Sequence, residues 1–264
     1  MKEWISFLDR ITNEIERLTR LGCDQPFFRG HNDRQWKLIP SLYRDSPLSR
    51  NILANEESIH ADFELNCGPL YDKKLNSWEI LFEMRYAGIP TRLLDWTENF
   101  GSALYFALKG VNWNYNKESK KPIKPCVWIM NPFYLNKKFC GNDVLYLVDN
   151  LGFDYEDSIK PNKEKMNVKL KIEGPIAILP PRLHQRSFAQ KSVYTLHVIN
   201  YQSREEICRP CVNKFEIPLN SIDEAYKFLK LSGINEYSLF PDPDGLGRHL
   251  IQEYMDIGHI SLKK

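Results

Sequence analysis

Charged side chains stand among apolar residues in the segment from 85 to 97, which reads RYAGIPTRLLDWT. Two arginines and an aspartate lie there beside a tryptophan and a leucine pair, and the segment leads into the apolar run ALYFA at 103–107. A charge among core residues is costly unless it is paired or meets a ligand. A solvent-exposed loop would need neither the tryptophan nor the leucines. The segment therefore predicts the wall of a binding site built into a folded core.

The composition excludes several classes of protein. The chain has 264 residues with 36 basic and 34 acidic side chains, and its formal net charge of +2 gives no overall attraction to nucleic acid or membrane. No stretch approaches the roughly 20 consecutive apolar residues of a membrane-spanning helix. The six cysteines are scattered, and a chain of this size does not need disulfides. We therefore expect a cytoplasmic protein with reduced thiols.

Sequence signatures of common enzymes and metal sites are missing. The chain has no G-x-x-x-x-G-K-S/T, G-x-G-x-x-G, G-x-S-x-G or H-E-x-x-H, which argues against a P-loop NTPase, a standard dinucleotide fold, an α/β-hydrolase and a zincin. Cys208 and Cys211 are one close pair, but a zinc ribbon needs a second pair. We interpret them as two unrelated thiols beside a turn.

Helices and strands mix along the chain without a regular β-α-β alternation. The spacing of apolar residues and the capping signals predict helices near 4–18, 51–66, 77–88, 99–107, 221–231 and 246–257. Short apolar runs predict strands at 26–30, 127–130, 175–179, 193–199 and 212–217. We interpret 91–97 as a polar turn between two helices. The fold class that follows is α+β, in a single domain.

Several blocks of the sequence resemble the FRG-domain family, which is named after its Phe-Arg-Gly triplet. The blocks are FRG at 28–30, WKLIP at 36–40 with Arg44, GIPTRLLDWT at 88–97, RSFAQ at 186–190 and LFPDPDG at 239–245. The resemblance implies an N-terminal helix in residues 1–25 and an FRG domain over 26–264, together one compact domain. At position 86, where the family commonly has a histidine, this chain has Tyr86.

The order of these blocks is also similar to that in arginine-type ADP-ribosyltransferases. In those enzymes an aromatic-Arg-Gly strand is followed by a polar turn, a helix resembling A-L-x-F-A, and a later strand containing Glu or Gln. Here the order is 28–30, 91–97, 103–107 and Gln190. The resemblance implies mixed helices around a small split β-sheet, with NAD as the substrate.

The same resemblance implies roles for individual residues. Arg29 would clamp the NAD pyrophosphate, and Trp96 or Tyr86 would stack on a ring. Loss of nicotinamide develops an oxocarbenium-like ribose that a carboxylate stabilises; Asp95 is the candidate, ahead of Glu173, and an amide such as that of Gln190 cannot replace it. The catalytic candidates are Arg29, Asp95 and Thr97. The candidates for binding NAD are Arg29, Gly30, Tyr86, Thr91, Arg92, Trp96 and Gln190.

Each candidate also has a structural interpretation. Arg29 would then pair with a buried acid such as Asp95, as a guanidinium in an apolar strand commonly does. Asp95 or Thr97 would cap a helix, and Trp96 would fill the core. Gln190 would serve packing and hydrogen bonding.

Three hypotheses on function follow. The first is an NAD-consuming transferase, a bacterial toxin or phage-defence effector with a protein or nucleic-acid acceptor and an antitoxin partner. The second is a non-enzymatic nucleotide- or nucleic-acid-binding module; its contacts would be Arg29, Arg44, Arg92, Arg186 and Trp96. The third is a metal nuclease; its ligands would be Asp95, Asp242 and Asp244. Because paired carboxylates on a proline-bounded turn are typical of turns and caps, we expect no metal.

Overall fold

The computed structural model describes residues 1–110, 123–159, 174–181, 184–198 and 211–261, with side chains to residue 255. Its helices are α1 (Lys2–Arg20), α2 (Pro47–Ala54), α3 (Glu56–Cys67), α4 (Ser77–Tyr86), α5 (Phe100–Leu108), α6 (Pro132–Cys140), α7 (Tyr155–Ile159), α8 (Gln185–Ala189), α9 (Ile222–Leu231), α10 (Glu236–Leu239) and α11 (Pro243–Ser261). Its strands are β1 (Phe27–His31), β2 (Leu93–Thr97), β3 (Cys126–Met130), β4 (Tyr146–Leu147), β5 (Ile176–Leu179), β6 (Ser192–Leu196) and β7 (Val212–Glu216). Within these residues, no helix combines the length and the apolar composition that crossing a membrane requires. The α+β class is confirmed.

The seven strands form one mixed sheet in the order β4-β5-β6-β2-β1-β3-β7. Strands β4 and β5 are parallel, and the other neighbours are antiparallel. Strands β1 and β2 share a single register pair, Phe28 with Thr97, whereas each of them shares five pairs with its other neighbour. A four-stranded half and a three-stranded half of one seven-stranded sheet therefore meet at a single register pair.

Strand β1 packs closely against α5 on one face of the sheet. Phe28 belongs to a buried cluster with Ala103 and Ala107 of α5 and with Trp4 and Phe7 of α1. The next residue on this face is Gly30, where an added Cβ would lie 1.9 Å from the carbonyl oxygen of Ala103. Only glycine allows the two backbones to come so close, so the Gly of the Phe-Arg-Gly triplet is required for packing.

The leucine pair in β2 serves both faces of the sheet. Leu93 packs in a buried cluster with Tyr194, and Leu94 packs in a different cluster with Phe27 and Met130. Neighbouring side chains in a strand point to opposite faces, so each leucine enters its own core. With both faces covered, the strand carries apolar residues at neighbouring positions and lacks a regular apolar–polar alternation.

The prediction of a polar turn at 91–97 was wrong, because Leu93–Thr97 is a central strand paired over five residues with β6. The predicted helix at 51–66 is two helices that meet at Asn55. The helix predicted near 77–88 begins as expected, with Asn76 as its cap in a capping box with Glu79. The helix predicted near 99–107 is also present, and its cap is Asn99, whose side chain accepts from the backbone N–H of Ser102.

We expect Gly30→Ala to destabilise the fold. The new methyl group would force β1 away from α5, and overpacking of this kind lowers the free energy of unfolding by about 3 kcal/mol. Urea denaturation measures the change. Gly247→Ala is the matched control, because a Cβ there meets nothing within 4 Å. Equal stability of the two variants would contradict the close approach.

Candidate functional site

A pocket of about 340 Å³ lies beside the single junction between the two halves of the sheet. The predicted residues that line it are Arg29, Gly30, Tyr86, Asp95, Trp96, Thr97 and Gln190. The other lining residues are Phe28, Arg85, Ala103, Phe106, Arg186, Ser192, Tyr194 and Phe240. The volume is at the lower end of the roughly 300–1,000 Å³ of small-molecule sites.

Three charged side chains meet in this pocket. Arg85, near the end of α4, places Nη2 2.6 Å from Oδ2 of Asp95 on β2. Arg29 on β1 donates through Nη1 to the Asp95 backbone carbonyl at 2.5 Å and lies 3.7 Å from the same carboxylate oxygen. The Asp95 side chain is 36% exposed and that of Arg29 is 15% exposed. The contact of Asp95 with Arg29 thus links the two halves of the sheet, and Arg85 joins α4 to the same carboxylate.

The three groups stay ionised at neutral pH. Burial by itself raises the pKa of Asp95, but the charges of Arg85 and Arg29 outweigh this effect and hold the pKa below its usual value. The charge of Asp95 raises the pKa of Arg85. Burial lowers the pKa of Arg29 to about 10, with Asp95 opposing the shift. Two cations therefore face one anion, and the cluster carries an excess positive charge suited to an anionic ligand.

His31 forms a hydrogen bond with the guanidinium group of Arg29. The Nε group of Arg29 donates to Nε2 of His31 at 2.9 Å, and the indole N–H of Trp128 lies 3.1 Å from Nδ1. His31 is 3% exposed. Burial, with the charges of Arg29 and Arg44, lowers its pKa to about 3. A neutral ring accepts at one nitrogen only, so His31 acts as a positioning acceptor for Arg29.

The aromatic residues of the pocket divide into core and wall. Trp96 is 4% exposed, and its indole N–H donates to Oγ1 of Thr195 at 3.2 Å. It packs in the core and offers no open face for stacking. Tyr86 stacks on His184 with ring centroids 4.7 Å apart and shares a hydrogen bond with the Tyr194 hydroxyl at 3.1 Å.

The rings of Phe106 and Phe240 also border the pocket. They meet edge to face, with centroids 6.1 Å apart. These two side chains supply the apolar wall that a planar ligand ring would contact.

Thr97 and Gln190 tie elements together at the edge of the pocket. The Thr97 hydroxyl donates to the backbone carbonyl of Gln190 at 2.6 Å and accepts from the N–H of Asn99 at 2.9 Å. The side-chain amide of Gln190 donates to the carbonyl of Leu239 at 3.0 Å. Both residues therefore have structural bonds in addition to their place in the lining.

Thr91 and Arg92 do not line the pocket. Arg92 forms an ion pair with Glu56 at 2.6 Å, with the two side chains 11% and 7% exposed, and donates to the carbonyl of Val198 at 2.6 Å. Tyr155 donates to the same Glu56 carboxylate. Thr91 is 1% exposed. Arg92 instead anchors the start of β2 to α3, and the backbone N–H of Thr91 donates to the Ser41 hydroxyl at 3.3 Å.

Asp242 is a cap and pairing residue. One of its oxygens accepts from Nε of Arg186 at 2.6 Å, and the other accepts from the N–H of Gly245 at 2.8 Å. Among the described residues, the cluster with metal-ligand spacing is His60, Glu64 and Glu156. It includes none of the three aspartates of the nuclease hypothesis. Glu173 and Cys208 lie outside the described residues.

Sequence reasoning missed several wall residues, including Tyr194, Phe106 and Phe240. Tyr194 stands directly opposite Asp95 in the β2–β6 register, which no local pattern reveals. Arg85 stood in the segment that first suggested a site. Its pairing with Asp95 depends on the turn between α4 and β2. The sequence shows that the two residues are close along the chain, but not that their side chains face each other.

We expect Arg92→Ala to unfold more easily than any variant at a surface ion pair. Removing one partner leaves the buried Glu56 charge uncompensated, which lowers the free energy of unfolding by about 3–5 kcal/mol. Arg20→Ala is the control, since Arg20 pairs with Glu16 with both side chains more than half exposed, and it should change stability by less than about 1 kcal/mol. Denaturant melts of both variants measure the difference, and similar losses would refute a structural Arg92.

The neutral His31 makes the fold sensitive to acid. In the unfolded chain it binds a proton below about pH 6.5, whereas in the folded protein its pKa is about 3. The stabilisation that the neutral His31 ring contributes to the free energy of unfolding is thus fully present above about pH 6.5. It decreases toward pH 3, by up to about 1.4 kcal/mol per pH unit. Urea melts at neutral and mildly acid pH should show a smaller loss in His31→Gln than in wild type. His249→Gln, at a partly exposed residue 3.9 Å from Glu253, should keep the wild-type loss; an unchanged loss in His31→Gln would contradict the neutral ring.

Comparison with known proteins identifies a family for one part of the chain. Residues 24–116 match the FRG domain, which confirms the resemblance carried by the Phe28-Arg29-Gly30 triplet and by 88–97. The match covers less than half of the chain and does not reach the blocks at 186–190 and 239–245. No curated protein and no solved structure matches the chain.

Proposed function

We propose, starting from the FRG domain at residues 24–116, that this protein binds NAD in the pocket between the sheet halves and transfers its ADP-ribose to an acceptor. The observation that carries this proposal is the cluster of Arg29, Asp95 and Arg85. It combines excess positive charge for a phosphate with a carboxylate that is ionised and 36% exposed.

Binding would rest on Arg29 and the aromatic wall. The Nη2 group of Arg29 makes no hydrogen bond to a described residue, and it remains available to a phosphate oxygen. A guanidinium binds phosphate strongly because its N–H groups form charge-assisted hydrogen bonds in a fixed geometry. Phe106 and Phe240 would contact the ligand ring.

The reaction would begin with cleavage of the glycosidic C–N bond, whose electron pair leaves with nicotinamide. The ribose carbon becomes oxocarbenium-like, and Asp95 would stabilise this charge electrostatically. Among the described residues, Asp95 is the only carboxylate that lines the pocket. A lone pair of the acceptor would then form the new bond to the ribose carbon, and the proton of the acceptor would pass to solvent water. Asp95 remains ionised throughout because its pKa is held low.

The cellular role is part of the same proposal. Cys23, Cys67, Cys126 and Cys140 are buried free thiols, which supports a cytoplasmic location. Consumption of NAD harms the cell in which it occurs, so a toxin or phage-defence effector acting on protein or nucleic acid fits this chemistry. Such an activity requires control, for which an antitoxin partner would serve.

A binding module without catalysis is the second candidate. Oδ2 of Asp95 is engaged by Arg85 at 2.6 Å and faces Arg29 at 3.7 Å. A carboxylate that two guanidinium groups already neutralise stabilises a developing cation less well. The same cluster would still bind a nucleotide phosphate.

We expect Arg29→Lys and Asp95→Asn each to reduce nicotinamide release from NAD by about 100-fold or more, because each removes one electrostatic contact with the transition state. Lysine keeps the positive charge but loses the forked donors. Release is measured with purified protein, with and without RNA, DNA and cell lysate as acceptor sources. Arg20→Ala should match wild type. Circular dichroism establishes that each variant is folded.

Titration of NAD by calorimetry separates the two candidates. Binding together with release that depends on Arg29 supports the transferase. Binding without release under any acceptor condition supports the module. Release that persists undiminished in folded Arg29→Lys and Asp95→Asn contradicts the assignment of these residues, and absence of both binding and release contradicts both candidates.

A further inference from the structure

A second cavity, of about 880 Å³, lies beside the turn that follows β1. Trp36, Lys37, Arg44 and Arg50 contribute polar and aromatic groups to its lining, and Leu42 and Leu53 contribute apolar surface. The volume falls within the range of about 300–1,000 Å³ that small-molecule sites occupy. We call this cavity the Trp36 groove.

The large and mostly apolar side chain of Trp36 is exposed to solvent. It is 53% exposed, whereas tryptophan is highly buried on average. A turn fixes its position, since its backbone N–H donates to the carbonyl of Asp33 at 3.0 Å and the N–H of Gln35 donates to the Asp33 carboxylate at 2.9 Å. One side of the indole approaches His31, with centroids 5.9 Å apart. The remaining open surface is an indole platform on an ordered turn.

More positive than negative side chains line the groove. Arg50 pairs with Asp45 at 2.6 Å, but the side chains are 66% and 91% exposed, and such pairs are weak. Lys37 and Arg44 make no ion pair with a described residue, and Arg44 donates to the carbonyl of Ile39 at 3.3 Å. Three cations therefore stand against one acid around a single open ring.

We propose that the Trp36 groove is a second nucleotide-binding site, in which a base stacks on Trp36 and phosphate groups meet Lys37, Arg44 and Arg50. Aromatic stacking and backbone charge together are the chemistry by which proteins hold unpaired nucleotides. The nucleotide is either a free mononucleotide or one unit of a single strand, and both present the same base and phosphate. This site is separate from the pocket at Asp95, and its occupancy does not depend on NAD cleavage.

One hydrogen bond connects the lining of the groove to the lining of the pocket. His31 lines the groove, and it also accepts from Arg29 of the pocket at 2.9 Å. A nucleotide in the groove therefore lies one residue away from the guanidinium of Arg29.

Binding assays with two probes test the proposal. One probe is AMP, titrated by calorimetry, and the other is a fluorescent single strand of about eight uridines or thymidines, followed by anisotropy. We expect Trp36→Ala to weaken binding of whichever probe the wild-type protein binds by about tenfold or more. For the strand, the slope of log K against log salt should be about −2 for three phosphate contacts and should fall in magnitude by about 0.7 in Lys37→Ala. Tyr134→Ala, at an aromatic residue 44% exposed elsewhere, should bind as wild type.

The outcomes distinguish a mononucleotide site from a site for single-stranded nucleic acid. AMP binding that depends on Trp36, without strand binding, supports a mononucleotide site; strand binding that depends on Trp36 and on salt supports a nucleic-acid site. Absence of binding of both probes to wild type overturns the proposal, as does an equal effect of Trp36→Ala and Tyr134→Ala. Nicotinamide release measured on the same samples keeps the two proposals apart, because loss of probe binding in Trp36→Ala supports the groove even where wild type releases no nicotinamide.

Discussion

The ion-pair cluster of Asp95 with Arg85 and Arg29 links the two halves of the sheet where their ladder is reduced to one pair, Phe28 with Thr97. Without Asp95, two guanidinium groups would face each other in a largely buried site, which is strongly unfavourable. Without the guanidinium groups, the partly exposed carboxylate would lose both of its ion pairs. The cluster therefore couples formation of the pocket to correct joining of the halves, and the charges available to a ligand are the same charges that hold β1 beside β2.

The arginines of this region differ in how many hydrogen-bond partners the fold gives them. Arg92 pairs with Glu56 and donates to two backbone carbonyls. These contacts fix the start of β2. Arg29 keeps one side of its guanidinium unbonded among the described residues. Arg44 bonds to one backbone carbonyl and stands beside open solvent. The residue type is the same in each case, and the number of partners decides which side chain remains able to bind.

Much of the secondary structure could be predicted from the sequence, because local periodicity and caps carry it. The helix capped at Asn99 and the strands near Phe27 and Val193 are examples. The central strand β2 was missed because burial on both faces removes the alternation that identifies a strand. The site was predicted in part. Seven of the predicted residues line the pocket, whereas Tyr194 and Phe240, which were not predicted, reach it through strand pairing and helix packing.

The sequence by itself determined that charged residues stand among apolar ones between 85 and 97, and that residues 24–116 carry an FRG domain. These features depend on residue types and short spacings. Only the tertiary structure decided that Asp95 faces Arg29 and Arg85 while Arg92 turns to Glu56, and that Trp96 is enclosed while Trp36 is open. The physical reason is that side chains only a few positions apart can enter different environments, and which environment each one enters depends on elements distant in the chain.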